Sequence, residues 1–234
     1  MSPILYLILF LGVALSGLAV FAITLSTKWL KLLLSFSGAF LFAISVLHLL
    51  PEIYSPGNKT VGIYILAGFF FQVGLEFFSQ GIEHGHIHPG PAAGKLPLAI
   101  LISLSIHSFL EGMPLSGNGS GYNKALFTGI LLHNIPISVA LMTLLKQSRL
   151  STTKILWALL LFACMTPLGA ICGTALGRSM GDASVCFNNL MGIVVGIFLH
   201  ISTTILFESS ENHRFNFIKF LSILLGAVVA FLIL

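Results

Sequence analysis

Three groups of histidines and carboxylates in this sequence have spacings that suit chemistry at a cation. The strongest lies in the stretches IHSFLEGMP and LLHNIPIS. His107 and Glu111 stand at i and i+4, which puts both on one face of a helix. His133 follows in the next apolar run, with Asn134 and Pro136 behind it. Two imidazoles and one carboxylate suit a divalent transition metal. Pro136 cannot donate to the carbonyl of Leu132, nor Pro114 to that of Leu110. Each proline is therefore expected to expose backbone oxygen beside a candidate ligand.

The second group is the loop IEHGHIHPGPAAGK over 82–95. His84, His86 and His88 alternate in a Gly/Pro context, with Glu83 beside them. Such a tract fits weak metal ligation and fits a solvated loop equally well. The third group is His48 and Glu52, again i and i+4, at the end of an apolar run. They suit capture of a cation at an entrance, or an interfacial pair at a helix end. Glu76 and His200 lie singly in later apolar runs, Glu76 as an exit ligand or a snorkelling side chain and His200 as a pathway group.

The elements that must position these residues follow from composition. Of 234 residues, 56% are hydrophobic and only 8% charged, against about 25% charged in a soluble domain. That excludes a soluble enzyme, a disordered chain and a nucleic-acid binder. Eleven Lys and Arg against seven Asp and Glu are too few for a phosphate-binding face. Continuous apolar runs predict an all-α integral membrane protein, since exposed backbone in lipid must be satisfied within a helix. Spans are expected near 3–25, 33–50, 61–81, 96–115, 124–145, 153–177, 185–207 and 215–234. At ~20 residues each, eight spans take up ~160 residues and leave a single transmembrane domain over 1–234. No Lys or Arg precedes the first apolar run, so a retained first span is expected rather than a cleaved signal. Cys164, Cys172 and Cys186 lack metal-type spacing.

Basic residues orient the bundle. Lys28, Lys31, Lys95, Lys146, Arg149, Lys154, Arg214 and Lys219 fall in one set of loops, and Lys59, Lys124 and Arg178 in the other. By the positive-inside rule the first set is cytoplasmic, both termini are outside and 82–95 is a cytoplasmic loop. The fourth and fifth spans are then antiparallel neighbours. His107 lies ~12 Å and His133 ~13.5 Å from their shared outer ends, at 1.5 Å per residue. The two imidazoles can sit at one level. A lone intramembrane histidine is often an interhelical hydrogen-bonding group. A carboxylate and two histidines at matched depth mark a pathway or a site.

The sequence resembles the ZIP (ZRT/IRT-like) family of divalent metal transporters over nearly its whole length. GAFLFAISVLHLLPE is similar to that family's second helix, HSFLEG to its HNxxD/EG and HNIPIS to its HExPHE. The fifth-helix motif is degenerate: Ile137 stands where the family has His or Glu, and Ser138 replaces the final Glu. Ser108 replaces Asn in the fourth-helix motif. The resemblance implies transport-site ligands at His107, Glu111 and His133, and bridging or second-metal positions at Ser108 and Asn134. With Ile137 and Ser138 in place, it points to a single site completed by water or by a ligand from another helix. It implies a pseudo-symmetric 3+2+3 bundle of eight helices, both ends outside, often paired as a homodimer.

The expected function is transport of a divalent transition-metal ion toward the cytoplasm, zinc first, with iron or manganese as other cargo. The metal is the transported substrate, and no prosthetic group is expected. The partners are that ion, the lipid bilayer and a second copy of the chain, with no nucleic acid. The location is the cell membrane, the inner one in a Gram-negative organism, crossed many times. Two His and one Glu with an open position also resemble the ligand set of an intramembrane zinc hydrolase. A hydrolase needs a general base near the metal-bound water. No second acid lies close by in sequence, so an enzyme is not expected. A transport-inactive metal-sensing relative of the family is the remaining alternative.

Overall fold

The computed structural model describes residues 1–23, 25–54, 60–84, 95–116, 122–179, 183–207 and 216–233. Among these, the regular structure is entirely helical. The helices are α1 (Pro3–Ala22), α2 (Thr27–Ile53), α3 (Val61–Ser79), α4 (Leu98–Ser116), α5 (Lys124–Gln147), α6 (Thr152–Ser179), α7 (Ala183–Phe207) and α8 (Phe217–Ile233). The first seven are long and apolar enough to cross a membrane. The described part of α8 has 17 residues, at the short end for a span. Large apolar side chains point outward, among them Phe70 and Phe77 on α3, Trp157 on α6 and Phe231 on α8. That outer coat suits lipid and would be unstable in water.

Helix boundaries differ from the apolar runs where packing intervenes. α2 begins at Thr27, ahead of the expected 33, because Leu30 is already buried among neighbouring helices. Its last turns widen to a π-helix over Ser45–Leu49 before closing as an α-turn at Leu50–Ile53. α4 tightens to a 3₁₀ turn over Met113–Ser116. There the N–H of Met113 reaches the carbonyl of Leu110, so Pro114 does not leave that oxygen bare as expected. Pro136 lies inside α5, which continues through it. Lys146, near the end of α5, donates to the carbonyl of Val20 at 2.8 Å and so satisfies an orphan group at the end of α1.

The three most extensive helix contacts, of α3 with α7, α2 with α8 and α4 with α6, mark out two sets of helices. α3 packs on α7 and α2 on both α7 and α8, while α4 packs on α6 and α1 on both α5 and α6. Glycines set the closest approaches. A methyl group at Gly68 would collide with the carbonyl of Ile193, and one at Gly196 with that of Ile65. These two glycines make α3 and α7 almost touch. Gly112, Gly169 and Gly173 do the same for α4 and α6, facing the carbonyls of Thr166, Phe109 and Met113. Small residues at such seams let backbones approach, which is how helices pack tightly in lipid. Contacts of α2 with α5 and of α3 with α4 join the two sets.

Candidate metal centre

α4 and α5 carry the chemistry to the middle of the bundle. His107 lies midway along α4 and Glu111 one turn later, at 2.9 Å from it (Nε2 to Oε1). His133 comes from α5, with its ring centroid 5.8 Å from that of His107 and the rings nearly perpendicular. All three side chains are fully buried. One ligand atom from each lies within 4.8 Å of the others. Tetrahedral zinc with bonds of ~2.0–2.1 Å needs donor separations of roughly 3.4 Å. A small inward movement therefore closes the trio on an ion.

The donor atoms fit a cation better than they fit each other. Nε2 of His107 and Oε1 of Glu111 are buried and 2.9 Å apart, poorly aligned for a hydrogen bond and with no other partner for either atom among the described residues. Buried polar atoms without partners cost roughly 1–3 kcal/mol each, more where charged. An ion placed between them would satisfy both.

Each ligand is held from behind. Nδ1 of His107 lies 3.1 Å from Oε1 of Gln72 on α3. Nδ1 of His133 lies 3.5 Å from the hydroxyl of Ser37 on α2. Oε2 of Glu111 accepts from Asn134 Nδ2 at 3.3 Å, and the same nitrogen lies 3.4 Å from Thr166 Oγ1 on α6. The hydroxyl of Ser108 donates to Asn134 Oδ1 at 3.1 Å. Ser108 and Asn134 are thus bonded to each other and to Glu111, with the donor edge of the amide toward the carboxylate. A donor edge repels a cation, so in this arrangement the pair orients Glu111. Ile137 is fully buried in an apolar cluster with Leu101, Leu104 and Ala140. Ser138 donates to the carbonyl of Val13 at 2.8 Å, joining α5 to α1.

The remaining expected residues are dispersed. His48 is exposed in the π-helical turn of α2. Glu52 accepts from Asn123 Nδ2 at 2.7 Å, while Oδ1 of the same asparagine caps the first turn of α5 at Leu126 N–H. Glu76 and His200 meet across α3 and α7 at 2.5 Å, against the edge of Phe69. Glu83 is the clearest departure. Expected in the cytoplasmic loop over 82–95, as a weak ligand or a solvated side chain, it is fully buried. Gln80 and Gly81 follow α3 with φ of 57° and 70°, and this left-handed turn folds the chain back under the helix. Glu83 then accepts from Ser79 Oγ at 2.6 Å and Gln72 Nε2 at 3.3 Å. His84 ends the short 3₁₀ turn Ile82–His84. His86 and His88 lie outside the described residues.

Gln72, Ser37 and Thr166 were not among the expected site residues. Gln72 had a readable signal: it is the only amide in the apolar run of α3, AGFFFQVGLEFF. Ser37 and Thr166 had none, since serine and threonine are common in membrane helices as bonds to their own backbone.

Comparison with known proteins bears on what this site serves. Residues 96–234 match the sequence model of the family described as ZIP Zinc transporter. The chain is 29% identical over 224 residues to the Mus musculus protein "Zinc transporter ZIP1", a match covering 75% of this chain and 68% of that protein. The Homo sapiens "Zinc transporter ZIP1" is 28% identical over the same shares. A shorter match, 31% over 124 residues, is to the Homo sapiens "Zinc transporter ZIP2" and takes in 51% of this chain and 40% of that protein.

Proposed function

This chain belongs to the ZIP zinc transporter family, and on that premise we propose that it moves divalent transition-metal ions, zinc first, across the cell membrane to the cytoplasm. Iron or manganese are the other ions its ligand chemistry would accept. The observation that carries the proposal is the buried trio of His107, Glu111 and His133, with their ligand atoms within 4.8 Å of one another.

The ion enters on the outer side past His48 and Glu52. It exchanges water for the two imidazoles and the carboxylate midway through the bundle. It leaves past Glu76 and His200 toward the loop histidines, on a cytoplasmic side marked by the basic loops. Three protein ligands leave a position for water, so binding stays weak enough for release; a site that binds too tightly does not conduct. Rocking of one helix set against the other alternates access. Both termini lie outside, and the chain works as a single transmembrane domain, in pairs where it dimerises. Ser108 and Asn134 serve the ion through Glu111, not as ligands of a second ion.

The test is uptake of a panel of divalent metals into proteoliposomes. Zinc is expected to enter, and His107→Ala or Glu111→Ala to abolish uptake in protein that remains monodisperse. Wild-type uptake in both variants would overturn the site. Zinc binding without flux would turn the reading toward a metal sensor.

A further inference from the structure

His107 does not stand alone behind its donor atom. A chain of hydrogen bonds runs from it out of the metal centre, through the amide of Gln72 to the carboxylate of Glu83. Ser79 fixes the far end, giving its hydroxyl hydrogen to the other oxygen of Glu83. Gln72, Ser79, Glu83 and His107 are all buried. Ser103, one turn before His107, donates to the carbonyl of Leu75 at 2.7 Å and locks the register of α4 on α3 beside this chain.

The polarity of the chain is set from its end. A carboxylate accepts and does not donate, so Glu83 draws the NH₂ of Gln72 toward itself. The carbonyl oxygen of Gln72 must then face His107. An amide oxygen can only accept, so Nδ1 of His107 carries the hydrogen. With an ion bound and the imidazole neutral, this leaves the lone pair on Nε2 for the ion, where without metal the Glu111 carboxylate 2.9 Å away would draw a hydrogen to that same atom. Without Glu83 the amide of Gln72 has no fixed sense. Turned around, it would offer N–H to Nδ1 and move the hydrogen to Nε2, closing the ligand atom.

We propose that Gln72 and Glu83 are positioning residues that hold His107 in the tautomer with Nε2 open to the ion. Glu83 therefore acts through two bonds on an ion that it does not touch. Partners behind a ligating histidine fix its ring and tautomer, and removing them typically costs 10- to 100-fold in metal affinity. The inference rests on His107 being a metal ligand, as proposed above.

The experiment uses the full chain in detergent micelles. Nitrogen-15 NMR of labelled histidines reads which nitrogen of His107 keeps its hydrogen in zinc-saturated protein, with His107→Asn identifying its signals. Zinc affinity is read by competition with a chelator. Glu83→Gln and Gln72→Leu are each expected to weaken zinc binding by roughly 10- to 100-fold. The double variant Gln72→Glu with Glu83→Gln restores the sense of the chain with charge and size conserved. It is expected to recover most of the affinity. Unchanged zinc affinity in the single variants, or zinc-bound His107 with its hydrogen on Nε2, overturns the inference. So does a double variant no better than the single ones, and this arm decides the matter if Gln72→Leu fails to fold. Wild-type protein with the expected tautomer and zinc affinity but no flux would overturn transport and leave this inference standing.

Discussion

Asn134 turns the nitrogen of its amide, not the oxygen, toward Glu111, with Nδ2 lying 3.3 Å from Oε2. Ser108 holds the amide oxygen on the other side. A carboxylate with one oxygen bound in this way keeps the other aimed at the histidines, where Oε1 stands 2.9 Å from His107.

This geometry predicts one ion per chain. Calorimetric titration of the purified protein with zinc should give a stoichiometry near one. Asn134→Ala should keep that stoichiometry and weaken binding by about 10-fold or more, because Glu111 loses the donor that aims it. Two tight ions per wild-type chain would contradict the role given to Ser108 and Asn134.

The seam between α4 and α6 gives a second prediction. Gly112 follows Glu111 directly, and an added methyl would meet the carbonyl of Thr166. Backbone cannot step aside as a side chain can. Gly112→Ala is expected to cost roughly 1–3 kcal/mol by overpacking. It should also displace Glu111 and Thr166 together. Thermal unfolding in detergent should show the loss, with zinc affinity falling in the same variant. Gly74→Ala is the control, since nothing lies within 4 Å of the added group.

Acid should weaken the metal centre. Each ligand must shed its proton to bind an ion, so protons and zinc compete for His107, His133 and Glu111. The sign is fixed: falling pH favours the protonated ligands and raises the apparent KM for zinc. Uptake at subsaturating zinc should therefore decline steadily from neutral pH into the acid range, and excess zinc should restore part of it. Uptake that rises with acidification under the same conditions would argue for a proton-driven cycle.

The orientation of the bundle can be read by labelling. In a background with Cys164, Cys172 and Cys186 replaced by serine, Ser2→Cys should react with an impermeant thiol reagent on intact cells. Lys95→Cys should react only after permeabilisation, as the distribution of Lys and Arg requires. The reverse pattern would invert the direction of transport proposed here.

How much of this was legible in the sequence depends on range. Apolar run lengths were enough to lay out the helices, because backbone in lipid has few alternatives. The i, i+4 spacing of His107 and Glu111 is local, and the depth of His133 follows from helical rise, so the trio could be assembled on paper. The π-helical widening of α2 at Ser45–Leu49 leaves no such trace in residue types. Neither does the burial of Glu83. That depends on two successive left-handed residues, one of them Gln80, which has no special preference for that conformation. Behind the donor atoms the site is built from contacts between distant segments, Gln72 with His107 and Ser37 with His133. Spacing along the chain carries no information about those.

The two bonds just named share a property that bears on release. Gln72 and Ser37 sit on α3 and α2, in one helix set, while His107 and His133 sit on α4 and α5, in the other. The ligands and their supports thus lie in different sets. In the rocking cycle proposed above, a slide of one set past the other would part both pairs, and the imidazoles would then lose the braces that aim them. The grip on the cargo is in this sense keyed to position: firm where the braces meet the rings, slack once the ligands have travelled away from them. Unloading would need no separate trigger.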